Sequence, residues 1–136
     1  MKTRIKQQVT VAIANQPGSL AKVTGALARA KVNIEGISVA ENTDMSVVRM
    51  VVGEPAAAEK ALKKARVPFT VQDVAVMGLA DKPGALAKAV AKLAKAGVNI
   101  DYIYGTACKC GCDCVCSLVL SACDLKKAKY TLSQVL

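Results

Sequence analysis

Asn15-Gln16-Pro17-Gly18-Ser19-Leu20 returns later in the chain as Asp81-Lys82-Pro83-Gly84-Ala85-Leu86. Downstream of each, Lys31-Val32-Asn33-Ile34-Glu35 returns as Gly97-Val98-Asn99-Ile100-Asp101. Both pairs are 66 residues apart (18 to 84, 33 to 99), so the two motifs keep register across the segment between them. This is an internal duplication, and it decides the fold, because a repeated unit is one structural module built twice. The units divide at residues 1–73 and 74–136.

Within the first unit, Val9–Ala14 is rich in β-branched residues and predicts a strand. Asn15-Gln16-Pro17-Gly18 is a turn, with Pro17 placed near the first helical position. Leu20, Val23, Leu27 and Ala30 follow at helical spacing as one apolar stripe. Val32–Ala40 predicts a second strand, Glu41-Asn42-Thr43-Asp44 a polar turn and Met45–Val52 a third strand. Pro55 opens an Ala- and Lys-rich helix ending near Ala65, and Phe69–Asp73 forms a fourth strand that leads into Val74–Leu79. The second unit repeats the order: strand Val74–Leu79, helix Gly84–Ala96, strand Val98–Ala107, strand Cys114–Ser121, helix Asp124–Leu132. Leu86, Val90 and Leu93 are expected in its core. The order β-α-β-β-α-β is the ferredoxin-like split βαβ, an α+β class with helices on one face of an antiparallel sheet. The second unit lacks its last strand, since Gln134-Val135-Leu136 is too short to supply one. Its sheet edge needs the N-terminal Arg4–Gln8 segment or a second chain, and an open edge points to a homodimer.

The Asn/Asp-x-Pro-Gly-x-Leu turn, the helix after it and Val-Asn-Ile leading into a strand resemble the ACT domain, a small regulatory module. Two copies spanning about residues 5–132 resemble the tandem ACT proteins, which stand alone without a catalytic domain. Ile37-Ser38-Val39-Ala40 and Arg49-Met50-Val51-Val52 match that group closely. The resemblance implies a non-catalytic regulatory protein that binds a small molecule, usually an amino acid, at interfaces between ACT units. It also implies an enzyme or regulator as downstream partner.

The candidate ligand residues are Asn15, Pro17, Gly18, Ser19 and Leu20 in one loop and Asp81, Pro83, Gly84, Ala85 and Leu86 in the other. Asn33, Ile34, Asn99 and Ile100 join them from the second motif. A turn entering a helix presents unpaired backbone N–H groups at the positive end of the dipole, which suits a carboxylate. Gly18 and Gly84 let the backbone approach that ligand closely. Asp81 could accept from an ammonium group, whereas Asn15 offers only a neutral carbonyl, so the second loop is the better α-amino-acid site. The same residues have a plainer reading. Asn and Asp are ordinary turn and cap residues, Pro-Gly is an ordinary breaker, and Asn33 and Asn99 can simply shape the entry to a strand.

Composition removes other classes. The chain has 136 residues, no His, no Trp, one Phe and three Tyr, with a hydrophobic fraction of 53%. Without His, neither Ser-His-Asp nor Cys-His activation nor a His-ligated metal can arise within it. No acid, base and nucleophile share a motif, so no enzymatic activity is expected. The net charge of +9 invites a nucleic-acid partner. However, Lys88, Lys92 and Lys95 lie along one helix, Lys63, Lys64, Lys126, Lys127 and Lys129 lie on two others, and no aromatics interleave to stack bases. These are solvated helix faces. No apolar run reaches the 18 residues of a membrane span and no signal peptide is visible, so a cytoplasmic protein is expected.

Five of the six cysteines lie in Cys108-Lys109-Cys110-Gly111-Cys112-Asp113-Cys114-Val115-Cys116, in the turn between strands two and three of the second unit. Aligning Val51 with Val119 gives an offset of 68, so this turn carries two inserted residues. With Gly111-Cys112-Asp113 as the hairpin loop, Cys110 opposes Cys114 and Cys108 opposes Cys116, all on one face. Four such thiols can surround a soft cation, Zn²⁺ or Cu(I), close cross-strand disulfides on oxidation, or stand as unpartnered β-tolerant residues. The Cys-x-Cys spacing differs from that of zinc knuckles. Cys123 reads as a structural residue.

Overall fold

The computed structural model describes residues 3–106 and 115–134. It contains β1 (Arg4–Ala14), α1 (Ser19–Arg29), β2 (Ile34–Asn42), β3 (Met45–Val52), α2 (Pro55–Lys64) and β4 (Phe69–Ala80). These are followed by α3 (Ala85–Lys95), β5 (Ile100–Gly105), β6 (Val115–Ala122) and α4 (Leu125–Ser133). The chain forms two compact units, Gln7–Gln72 and Met1–Lys6 with Asp73–Leu136. The N-terminal residues thus belong with the second repeat, not with the first as a division at 73/74 would have it.

The reason lies in the sheets. The strand order is β2-β3-β1-β4 in the first unit and β5-β6-β4-β1 in the second, so the long strands β1 and β4 each serve both. No strand follows α4 among the described residues. The beginning of β1 takes that place beside β4, which is why β1 starts at Arg4 rather than Val9 and why Phe69–Ala80 is one strand. Pairing satisfies the backbone donors and acceptors that an open edge would leave exposed.

In the first unit β1 pairs antiparallel with β3 and β3 with β2. The register Val9↔Met50 and Val11↔Val48 puts those side chains on one face of the sheet. That face is buried against Val23 and Leu27 of α1 and Ala58 and Leu62 of α2. The second unit repeats the scheme with Ala75, Met77 and Leu120 of its sheet under Ala89 and Leu93 of α3 and Ala128 and Leu132 of α4. Leu27, Leu62, Leu93 and Leu132 are fully buried, each worth about 1.5–3 kcal/mol of transfer free energy. A bulge recurs near the start of β2 and of β5, between Ile34 and Gly36 and between Ile100 and Tyr102.

The apolar stripe of α3 is shorter than its spacing suggests. Leu93 is 1% exposed, but Leu86 is 45% and Val90 36% exposed. On α1, Val23 and Leu27 are buried while Leu20 is 38% exposed. The buried line runs through Val23 and Leu27 from half-buried Ser19 on α1, and through Ala89 and Leu93 from half-buried Ala85 on α3, so Leu20, Leu86 and Val90, each one residue further round the helix, lie at its border. Pro17 and Pro83 also lie outside the helices, because Gly18 and Gly84 are the cap residues.

The insertion in the second repeat is longer than sequence alignment indicates. Ala14 pairs with Met45 and Ala80 with Val115, and α2 starts at Pro55 where α4 starts at Leu125. The offset rises from 66 (14 to 80) to 70 (45 to 115), so four residues are inserted rather than two. The valines of β3 and β6 permit several alignments, and only pairing to β1 and β4 selects one.

Leu93→Ala should lower stability by about 2–5 kcal/mol, whereas Leu86→Ala should cost roughly less than 1 kcal/mol despite the same chemistry. Urea unfolding monitored by circular dichroism measures both. Removing residues 1–6 should speed amide exchange in β4 and β6 while α1 keeps its protection, read by hydrogen-exchange mass spectrometry.

Candidate functional site

Each β-strand that precedes a Pro-Gly turn ends in the same hydrogen-bonded loop. In the first unit the Gln16 N–H donates to the Ala14 carbonyl (2.9 Å), the Ser19 N–H to Gln16 (3.3 Å) and the Lys22 N–H to Gly18 (3.0 Å). In the second, Lys82 donates to Ala80 (2.9 Å), Ala85 to Lys82 (3.3 Å) and Lys88 to Gly84 (3.0 Å). Gly18 and Gly84 cap the helices in the left-handed region, with φ of 88° and 87°. Residues with a Cβ avoid that region, which accounts for glycine at both places. Nothing lies within 4 Å of where a Cβ would stand on either glycine, so the space over each loop is open.

Neither helix has a side-chain cap or an acidic residue in its first turn. Among the described residues, the amides of Gly18, Leu20 and Ala21, and of Gly84, Leu86 and Ala87, have no hydrogen-bond partner. Three donors and the positive end of a helix dipole are therefore presented together, twice. That arrangement suits an anionic oxygen pair such as a carboxylate. Exposed Leu20 and Leu86 stand next to these amides and offer apolar surface to a ligand side chain.

The tertiary structure adds a group to the first loop. The Asn15 side-chain amide donates to Glu41 Oε2 (3.3 Å) and to the Thr43 carbonyl (3.2 Å), and the Asn15 N–H donates to the Asp44 carbonyl (2.8 Å). The β2–β3 turn is thus tied to the β1–α1 loop. With both bonds made by the Asn15 NH2 group, its carbonyl oxygen stays available as an acceptor, and the Glu41 carboxylate supplies a negative charge beside it. The first loop is not limited to a neutral carbonyl, as Asn15 alone would suggest. Sequence reading missed Glu41 because only the antiparallel register brings the two segments together. Asp81 occupies the corresponding place in the second loop and is exposed.

Other candidates stand elsewhere. Ile34 pairs with Val52, at the opposite end of the β2–β3 ladder from the Asn42↔Met45 pair beside the loop. Asn33 and Ile34 are therefore separated from Asn15 by the length of β2, about 26 Å at 3.3 Å per residue. Asn99 and Ile100 are placed likewise at the start of β5. The Asn33 carbonyl accepts from the Gly53 N–H (3.0 Å), the Asn99 amide donates to Asp101 Oδ1 (3.4 Å), and Ile34 and Ile100 pack on their cores. Within a unit these four shape the entry to a strand and do not join the loop. Ser19 and Ala85 begin the helices, half-buried.

Cys108, Cys110 and Cys114 lie outside the described residues, so the thiolate site expected there does as well. Cys116 stands opposite Leu79 in the β4–β6 ladder. Cys123 is a free, exposed thiol rather than a packed structural one. No group of three or more potential metal ligands occurs among the described residues. No helix among them is long and apolar enough to cross a membrane.

Comparison with known proteins bears on the whole chain. A family model described as an ACT domain pair matches residues 4–129. Protein BT0572 from Bacteroides thetaiotaomicron has a similar structure, with 30% sequence identity and a TM-score of 0.87 over 97% of this chain and 89% of that one. The ligand-free regulatory subunit of aspartate kinase from Thermus thermophilus is 20% identical, with a TM-score of 0.69 over 100% of this chain and 98% of that one. The corresponding subunit from Thermus flavus is 20% identical, with a TM-score of 0.62 over 99% and 97%. Among curated proteins, none matches in sequence. The chain belongs to the family of paired ACT domains.

Gly18→Ala and Gly84→Ala should each cost about 1–2 kcal/mol, the penalty of a Cβ in the left-handed region. No steric term should add to it, since the space is open. Denaturant midpoints measure the loss.

Proposed function

We propose that this chain is a non-catalytic regulatory module that senses a free α-amino acid. The observation that carries the reading is the pair of matching loops, each presenting three unpartnered amides at an uncapped helix N-terminus. The ligand carboxylate sits on those amides, and its ammonium group meets Asp81 over α3 or Glu41 and the Asn15 carbonyl over α1. Its side chain lies along Leu86 or Leu20. A zwitterion meets donors and an acceptor in a fixed order at either loop, while a simple carboxylic acid would leave the acidic residue unmatched. The regulatory subunits of aspartate kinase share the fold, which supports a regulatory role and leaves the ligand to be found by experiment.

Self-association fits this role. The edge of the second sheet is closed by β1, so the missing strand no longer argues for a dimer. Each unit nevertheless ends on an edge strand paired on one side only, β2 in the first and β5 in the second. Ile37 and Val39 of β2 and Ile103 of β5 are exposed. Apolar side chains on an unpaired edge favour pairing with another copy, and we propose a homodimer as the working form.

A thermal-shift screen of the twenty amino acids at millimolar concentration tests the sensor. A ligand at one hundred times its dissociation constant stabilises by about 2.7 kcal/mol, a rise of several degrees in Tm. Asp81→Asn and Glu41→Gln should each reduce the rise by removing one loop's ammonium acceptor. No shift with any amino acid would overturn the ligand class.

A further inference from the structure

Between α1 and α2 of the first unit runs a surface groove of about 530 Å³. Ala26, Ala57 and Ala61 form its floor, while Arg29, Lys60 and Lys64 line its rim. The fold does not require this floor. Both repeats place a buried leucine pair beneath their helices, Leu27 with Leu62 and Leu93 with Leu132. At the offsets of 66 and 70, however, the second repeat carries Lys92, Lys127 and Thr131 in place of the three alanines. There the Lys92 ammonium group reaches across from α3 to donate to the Gln134 carbonyl at the end of α4 (2.8 Å). The second helix pair is bridged by its own side chain, and the first is left open.

The chemistry of the groove selects its occupant. Ala57 and Ala61 are one turn apart on α2, and Ala65 continues the line. Side chains that end at Cβ let another helix approach at the short end of the usual interaxial range of about 8–10 Å. From Ala57 to Ala65 the trough runs about 12 Å at 1.5 Å per residue, roughly two turns of a docked helix. The rim is cationic and the floor uncharged. A second copy of this chain would bring its own net charge of +9 to that rim, so charge opposes self-docking here. The lining holds no aromatic side chain on which a nucleobase could stack.

We infer that this groove docks an acidic amphipathic helix of a partner protein. Small or aliphatic residues of that helix lie in the trough, and its flanking carboxylates face Arg29, Lys60 and Lys64. The groove shares no residue with either loop, and the inference does not depend on which ligand they hold.

The test uses the full chain and a capped, fluorescein-labelled Ala/Leu/Glu peptide of about 14 residues, four helical turns. Ala or Leu stands at i, i+4 and i+7, with Glu on either side. Fluorescence anisotropy should show saturable binding that weakens as salt rises, and a scrambled peptide of identical composition should bind at least about tenfold more weakly, one decade being about 1.4 kcal/mol. Lys60→Glu with Lys64→Glu, both exposed and therefore compatible with folding, should lower affinity by about tenfold or more. Ala61→Thr, which introduces the second repeat's residue, should also lower it. Equal binding of the scrambled peptide, unchanged affinity in the charge-reversed variant, or displacement of the peptide by millimolar phosphate at constant ionic strength would overturn the inference. So would a change in the sedimentation of the variant alone, which would assign the groove to a second copy of the chain.

Discussion

Burial of one aliphatic face of each sheet under two helices is the constraint from which the remaining features follow. The cores are built from Val, Ala, Leu and Met, and the described core clusters contain no large aromatic that is fully buried. Small side chains allow helices to sit close to a sheet, and close packing makes their positions specific. Leu27 and Leu62 in one unit, Leu93 and Leu132 in the other, hold the helices by the same points. On α1 and α3 the buried line runs from the half-buried first residue, Ser19 or Ala85, to the leucine in the last turn. Leu20 and Leu86 stand one residue round the helix from that line and are therefore exposed beside the unpartnered amides.

The loops show how a local conformational demand becomes a binding surface. The four-residue turns that lead into α1 and α3 place their cap residue in the left-handed region, which glycine adopts without penalty, at φ of 88° and 87°. A cap in that conformation contributes no side-chain acceptor to the helix amides, in contrast to Asp124, whose carboxylate accepts from the Lys127 N–H at the start of α4. Fold and site therefore share one cause. The glycine that permits the turn also leaves the N-terminus uncapped and uncrowded.

The two repeats have diverged where the shared core does not hold them. The β2–β3 turn is short and polar and tied to Asn15, whereas its counterpart is four residues longer and rich in cysteine. The groove between α1 and α2 has alanines where the other helix pair has lysines and a threonine. Beneath these changes, the bulges, the loop hydrogen bonds and the leucine anchors coincide. Energetic constraint is concentrated in the core and the turns, and the outer helix faces and hairpin tips are free to specialise.

The duplication, the α+β class, the order of elements and the glycine turns were legible in the sequence, because each rests on local signals: repeated motifs, side-chain period and the backbone demands of Pro and Gly. What depended on pairing was not. That Arg4 to Lys6 complete the second sheet, that the insertion is four residues, that Glu41 stands beside Asn15, and that Asn33 lies a strand's length away are all consequences of register. The valines of β3 and β6 can be aligned at more than one offset, and a shift of the pairing exchanges every neighbour. Only the sheet as a whole, with its helix-covered face buried, selects one of them. Local propensity named the elements of this protein, and the long-range burial of their apolar faces decided which residues met.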